Sequence, residues 1–227
     1  MKIALCFSGQ SRALKIGFEY YKKNLLDLYN VDVYAHSWNS EYNELYIDLY
    51  HPVNYKFEDT LNVDLSKYTR IPEKRPASNI HSMYYSMNEC RKLINGKYDW
   101  VIRSRTDYAL NLDLNFNTLD STKLYIPHDH QNAERDAGND QFAFSSQENM
   151  EKYLSTFENI DEYYNLGYEF GGEPLMQANL RENKLTGEKL IYTNMNNPFP
   201  PRQYSGWSSS LIREDFLYWN PTARSDW

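Results

Sequence analysis

A strand, a helix and a second strand follow one another within the first 36 residues, and no other feature constrains the fold as tightly. Ile3 to Phe7 is a continuous apolar run closed by Ser8-Gly9-Gln10-Ser11, the pattern of a strand buried on both faces that gives way to a turn. It is expected to be a central strand. From Ser11, the candidate helix cap, Leu14, Phe18, Tyr21, Leu25 and Leu28 recur at alternating spacings of four and three, which marks one face of an amphipathic helix. Val31 to His36 reads as the next strand. Strands joined by a helix pair in parallel through a right-handed crossover. The expected class is therefore α/β, with a mixed, mostly parallel central sheet flanked by helices. A chain of 227 residues supplies one sizeable core but not two full domains, so a single domain over 1–227 is expected.

Between Trp38 and Pro76 the pattern breaks down into Tyr-, Asn- and Asp-rich sequence interrupted by Pro52, Pro72 and Pro76, which reads as irregular chain with short strands. A helical face returns from Ser78 with Ile80, Met83, Met87, Cys90 and Ile94, and Asn95-Gly96 ends it. Asp99 to Arg105 and Leu124 to Ile126 read as strands. Ser145-Ser146-Gln147-Glu148 resembles a capping box that opens a helix through Phe157, and Glu173-Pro174 starts another that carries Leu175, Met176 and Leu180. Leu190 to Thr193 is the last expected strand, and Asn196 to Ser210 reads as a long aromatic loop.

Charge limits the partners. There are 24 basic and 31 acidic residues, a net charge of −7, and no block of like charge, which argues against duplex nucleic acid or an anionic membrane surface as principal partner. Cys6 and Cys90, the only cysteines, are too few for a disulfide framework and fit a reducing, cytoplasmic compartment. The N-terminal apolar run is too short for a signal peptide or a spanning helix, so no membrane insertion is expected. The 21 Tyr, 10 Phe and 5 Trp either supply core mass or offer faces that stack on sugar rings or a nucleobase.

The strand from Asp99 begins apolar and ends charged. Alternation places Val101, Arg103, Arg105 and Asp107 on one face, with Trp100, Ile102 and Ser104 on the other. In open α/β sheets the carboxyl ends of strands open into the ligand crevice. There Asp107 can hold a hard divalent cation through oxygen, and Arg103 and Arg105 can neutralise phosphate. Alternatively, arginine and aspartate simply pair and lock the loop. Asn139-Asp140-Gln141, ahead of Phe142-Ala143-Phe144, is a second polar cluster; Asp140 suits a catalytic base or a local backbone cap. His128, Asp129, His130, Glu134, Arg135 and Asp136 form a titratable loop containing Gly138, suited to a substrate lid or simply solvated.

Four features together resemble a known group: a first strand ending Ser8-Gly9-Gln10-Ser11-Arg12, a strand ending Arg105-Thr106-Asp107, the run Asn139-Asp140-Gln141-Phe142, and Glu173 heading a helix. They are similar to the small GT-A type glycosyltransferases of large-virus (chlorella-virus-like) and bacterial polysaccharide synthesis, over most of residues 1–195. The resemblance implies a nucleotide-sugar donor, with a UDP-sugar favoured, a saccharide or glycan acceptor, and hexosyl or deoxyhexosyl transfer. It also implies residues 1–110 as the nucleotide-sugar-binding half and 111–227 as the acceptor-side half. Ser8, Gly9, Gln10 and Arg12 would then meet the nucleotide, with Arg103 and Arg105 on its phosphates. Asp107 would hold Mn²⁺ or Mg²⁺, and Asp140 and then Glu173 would serve as base. No Asp-x-Asp occurs; Arg105 stands at its first position, and no histidine follows His130. Tyr204 and Trp207 are the expected acceptor stackers. A module that binds nucleotide or glycan without turnover is the alternative.

Overall fold

The computed structural model describes residues 1–71, 76–108, 110, 114–127 and 140–190. Its centre is β1 (Lys2–Ser8), flanked in parallel by β2 (Asn30–Trp38) and β4 (Trp100–Ser104). β3 (Asn54–Glu58) adds in parallel outside β2. On the other side β6 (Ala143–Ser145) runs antiparallel between β4 and β5 (Leu124–Pro127), and β7 (Gly187–Leu190) pairs in parallel with β5. The seven strands thus lie in the order β3-β2-β1-β4-β6-β5-β7, the mixed, mostly parallel α/β sheet expected from the sequence.

Alternation along the strands divides the core. Ala4, Cys6, Tyr34 and Val101 face one layer, made by α3 (Ala77–Leu93), α4 (Gln147–Leu154), α5 (Ile160–Asn165) and α6 (Gly172–Glu182). Ile3, Leu5, Phe7, Val33, Trp100 and Ile102 face the other, made by α1 (Leu14–Tyr21) and α2 (Asn43–Tyr50) with Tyr108, Phe116 and Phe142. Tyrosine does supply core mass, since Tyr21, Tyr34, Tyr46, Tyr84, Tyr108 and Tyr153 are among the largest fully buried side chains.

Several local expectations are corrected. Ser11 does not cap α1, which starts at Leu14 behind Ala13 in the left-handed region (φ 48°), while the Ser11 hydroxyl pairs with Ser37 Oγ at 2.8 Å. The helical face does not run on to Leu28. A π-turn over Lys22–Leu26 rotates the register, so Leu25 is buried and Leu28 is exposed. The stretch after Trp38 is more regular than expected, because α2 buries Tyr46 and Tyr50, one turn apart. Tyrosine, an ambiguous apolar residue, hid that period. The cap of α4 is Ser146, whose hydroxyl accepts from Asn149 N–H, and Ser145 instead ends β6. α4 closes at Leu154 and a 3₁₀ turn, Ser155–Asn159, carries the chain past Phe157. Leu190 of the last expected strand lies in β7, and Ile191 to Thr193 lie outside the described residues. Among the described residues no helix is long and apolar enough to cross a membrane.

Candidate functional site

Register brings the carboxyl ends of the parallel strands into one row, with Ser8 opposite His36, Phe7 opposite Ser104, and Trp38 opposite Glu58. Two loops leave this edge side by side. The first, Gly9 to Ala13, joins β1 to α1; the second, Arg105 to Tyr108, follows β4. Thr106 ties them together. Its hydroxyl accepts from Arg12 N–H at 3.1 Å and contacts the Arg12 carbonyl at 2.8 Å and the Gln10 carbonyl at 3.5 Å. The loops are also packed without slack, since a Cβ on Gly17 of α1 would stand 1.9 Å from the Thr106 carbonyl oxygen. Neither Thr106 nor Gly17 stood out in the sequence. The signal was available in both: a threonine between Arg105 and Asp107, and a glycine on the buried side of a helix.

Within the first loop, Gly9 has φ +113°, a left-handed-side conformation that favours glycine, with open space where a side chain would be. Gln10 and Arg12 are exposed and bonded to each other, Arg12 Nη2 donating to Gln10 Oε1. Ser8 is buried and its hydroxyl has no hydrogen-bond partner among the described residues. Among the described residues α1 has no side-chain cap, and its first turn has no acidic residue, so its amino end presents positive partial charge.

The second loop departs from the strand geometry expected of it. β4 ends at Ser104, and Arg105 to Tyr108 form a turn closed by Tyr108 N–H to the Arg105 carbonyl at 3.2 Å. Arg103 keeps the face assigned to it, with Val101 on the α3 side, whereas Arg105 and Asp107 meet in that turn as a bidentate pair. Arg105 Nε donates to Asp107 Oδ1 at 2.7 Å and Nη2 to Oδ2 at 2.6 Å. Asp107 is 5% exposed and Arg105 27%. Burial alone would lower the Arg105 pKa, but the adjacent carboxylate outweighs it and the net direction is upward.

Arg103 is 1% exposed, and neither Nε nor Nη1 has a hydrogen-bond partner among the described residues. Burial pulls its pKa below the ordinary value, opposed by Tyr153, Asp140 and Asp107. Asp140 reaches the same place from β6's side. Its Oδ2 lies where it would stand 2.6 Å from a Cβ on Gly172, the first residue of α6. Gly172 thus makes room for a carboxylate at the positive end of an 11-residue helix, and Glu173 is the next residue along. Tyr84 of α3 donates to the Gly172 carbonyl, and burial drives its phenol pKa well above the usual value. Asp140 and Glu173, separate in sequence, are therefore brought to one helix end.

α3 also supports the Gly9 loop through residues the sequence reading passed over. Ser86 Oγ accepts from Gly9 N–H at 2.7 Å and lies 2.8 Å from His36 Nδ1, while His36 Nε2 lies 2.8 Å from Glu58 Oε1. Burial lowers the His36 pKa, against the pull of Glu58. Tyr85 stacks on Trp38 with ring centroids 6.0 Å apart. His128, Asp129, His130, Glu134, Arg135, Asp136, Gly138, Asn139, Tyr204 and Trp207 lie outside the described residues.

No protein-family model matches this chain, and no curated protein sequence does. Among solved structures, LgtC, a galactosyltransferase, crystallised with donor and acceptor sugar analogues, aligns with 82% of this chain and 73% of its own, at 14% identity and a TM-score of 0.48. An active-site mutant of LgtC aligns over 78% and 69%, at 12% identity and a TM-score of 0.49. The apo form of mouse xyloside xylosyltransferase 1 aligns over 83% and 84%, at 12% identity and a TM-score of 0.42.

Proposed function

We propose that this chain is a glycosyltransferase of GT-A type that moves a sugar from a nucleotide diphosphate donor, a UDP-sugar first, to a saccharide acceptor. The observation that carries the reading is the Thr106 tie. It places Gly9 to Arg12, the open amino end of α1 and the Arg105–Asp107 turn on one strand edge. Gly9 leaves space for a ligand to approach the backbone, and the α1 end and Arg12 favour phosphate. The transferred sugar passes through an oxocarbenium-like state. The bond from its anomeric carbon to the diphosphate oxygen breaks, and that electron pair leaves with the nucleoside diphosphate. Arg103 and Arg105 stabilise the charge that develops there. The acceptor oxygen forms the new bond, and its proton passes to a carboxylate. Asp140 is the first choice for this role and Glu173 the second, both at the α6 end.

The described residues, as they stand, do not fit a Mn²⁺ or Mg²⁺ site. Both oxygens of Asp107 are engaged by Arg105, and among the described residues no three His, Cys, Asp or Glu side chains gather to hold an ion. The chemistry proposed here runs through arginine. The same bidentate pair favours a second reading, a module that holds nucleotide or glycan without turnover.

One experiment separates them. A panel of nucleotide sugars is incubated with oligosaccharide acceptors, with and without EDTA, and nucleoside diphosphate release is followed. The expected result is release from one donor, insensitive to EDTA, with kcat lowered about 100-fold or more in Asp140→Asn. Donor binding without release would select the binding module. Absence of any donor binding would sink both.

A further inference from the structure

A chain of hydrogen-bonded side chains lies behind Gly9. Ser86 is fully buried in α3 and His36 is buried at the end of β2, so neither meets solvent. Glu58, at the end of β3, is bonded by Lys56 Nζ at 3.0 Å, and Lys56 in turn by Glu89 at 2.8 Å. Charge is balanced around the carboxylate, which suits it to accept from His36 Nε2–H. Nδ1 is then a bare acceptor facing Ser86 Oγ at 2.8 Å. In that tautomer the Ser86 hydroxyl can donate to Nδ1 while its oxygen accepts from Gly9 N–H, 2.7 Å away. The Ser86 hydroxyl also has a longer contact, to the His36 carbonyl at 3.3 Å. Gly9 N–H retains only a longer contact besides, to the His36 carbonyl at 3.2 Å.

We infer that Ser86, His36 and Glu58 form a relay that fixes the Gly9 amide, and so sets donor affinity without touching the donor. The inference rests on reading the β1–α1 turn as the donor seat. These three are positioning residues. A serine, histidine and glutamate in contact also suggest a hydrolytic nucleophile, but a fully buried Ser86 whose oxygen is occupied by Gly9 N–H cannot present that oxygen to a substrate. A relay from the sheet edge explains instead why a turn with no side chain of its own keeps a defined φ of +113°. It also explains why polar Ser86 lies on the buried side of α3, between Met83 and Met87.

The test uses two readouts, amide hydrogen exchange at Gly9 and the Kd and kcat for the donor, in Ser86→Ala, His36→Leu and His36→Asn. Asn keeps an acceptor toward Ser86 and serves as the rescue variant. Loss of one hydrogen bond predicts Gly9 exchange and donor Kd both raised about tenfold in Ser86→Ala and His36→Leu, with kcat little changed and His36→Asn close to wild type. Unchanged Gly9 exchange in folded Ser86→Ala would overturn the relay, whatever the donor does. Faster Gly9 exchange with unchanged Kd would overturn its role in affinity. Absence of nucleotide binding by the wild type itself would instead remove the donor reading, and the relay's role with it.

Discussion

A guanidinium buried in the middle of a sheet, with two donors unmet, is an expensive residue to keep. Each unsatisfied buried donor costs on the order of 1–3 kcal/mol, and methionine would fill a similar volume without that cost. In the transferase proposed above, its position near Asp140 and two residues before Arg105 would give it a use, to act on the negative charge of the donor diphosphate. Arg103→Met is therefore expected to hold or raise the melting temperature while weakening donor binding about tenfold or more. Calorimetric melting and nucleotide titration on the same variant check both halves; a drop in stability with donor binding intact would show Arg103 to be structural. At this scale the sequence was partly legible. Charge and alternation alone picked out Arg103, Arg105, Asp107 and Asp140. They did not decide whether Arg105 claims both oxygens of Asp107, because two residues of separation are compatible with one shared face of a strand or with a turn that folds the pair together. Ser86 and His36 were invisible for a different reason. Each matters only through a contact 50 residues away in the chain, and neither residue type is unusual where it stands.

At the level of elements, the β1–α1 and β4 units behave as one assembly because Gly17 lets the helix rest on the Thr106 carbonyl. A methyl group there would overlap backbone rather than a side chain that can swing aside. Gly17→Ala normally gains helix propensity, worth about 1 kcal/mol. Here overpacking of about 1–3 kcal/mol opposes it, so net destabilisation is expected, accompanied by displacement of the Thr106 turn and weaker donor binding. Urea unfolding and a donor titration of Gly17→Ala test this; a stabilised variant with normal affinity would show that the contact is soft. The elements themselves were legible where the apolar period was unambiguous: β1, β2, α3 and the start of α6. They were missed where tyrosine carried the burial, as in α2, and where a π-turn shifted the register after Tyr21. The start of α1 was misplaced because a tertiary contact, the Thr106 hydroxyl on Arg12, holds the backbone there instead of a local serine cap.

For the molecule as a whole, the opening strand-helix-strand order implied parallel pairing, and parallel pairing implied a ligand crevice at the carboxyl ends of the strands. Both inferences concern the half of the sheet built from local crossovers. The insertion of β6 antiparallel between β4 and β5, which carries Asp140 to α6, depends on pairings between distant segments, and no short-range pattern announces it. One hydroxyl, Thr106 Oγ1, joins two loops into the proposed donor seat. Titration of nucleoside diphosphates, UDP first, into wild type, Thr106→Ser and Thr106→Val by isothermal calorimetry tests it most directly. Wild type and Thr106→Ser are expected to bind one nucleotide alike, and folded Thr106→Val to bind it about tenfold or more weakly, having left the Arg12 amide and carbonyl without that hydroxyl. Equal affinity in all three proteins would contradict the claim.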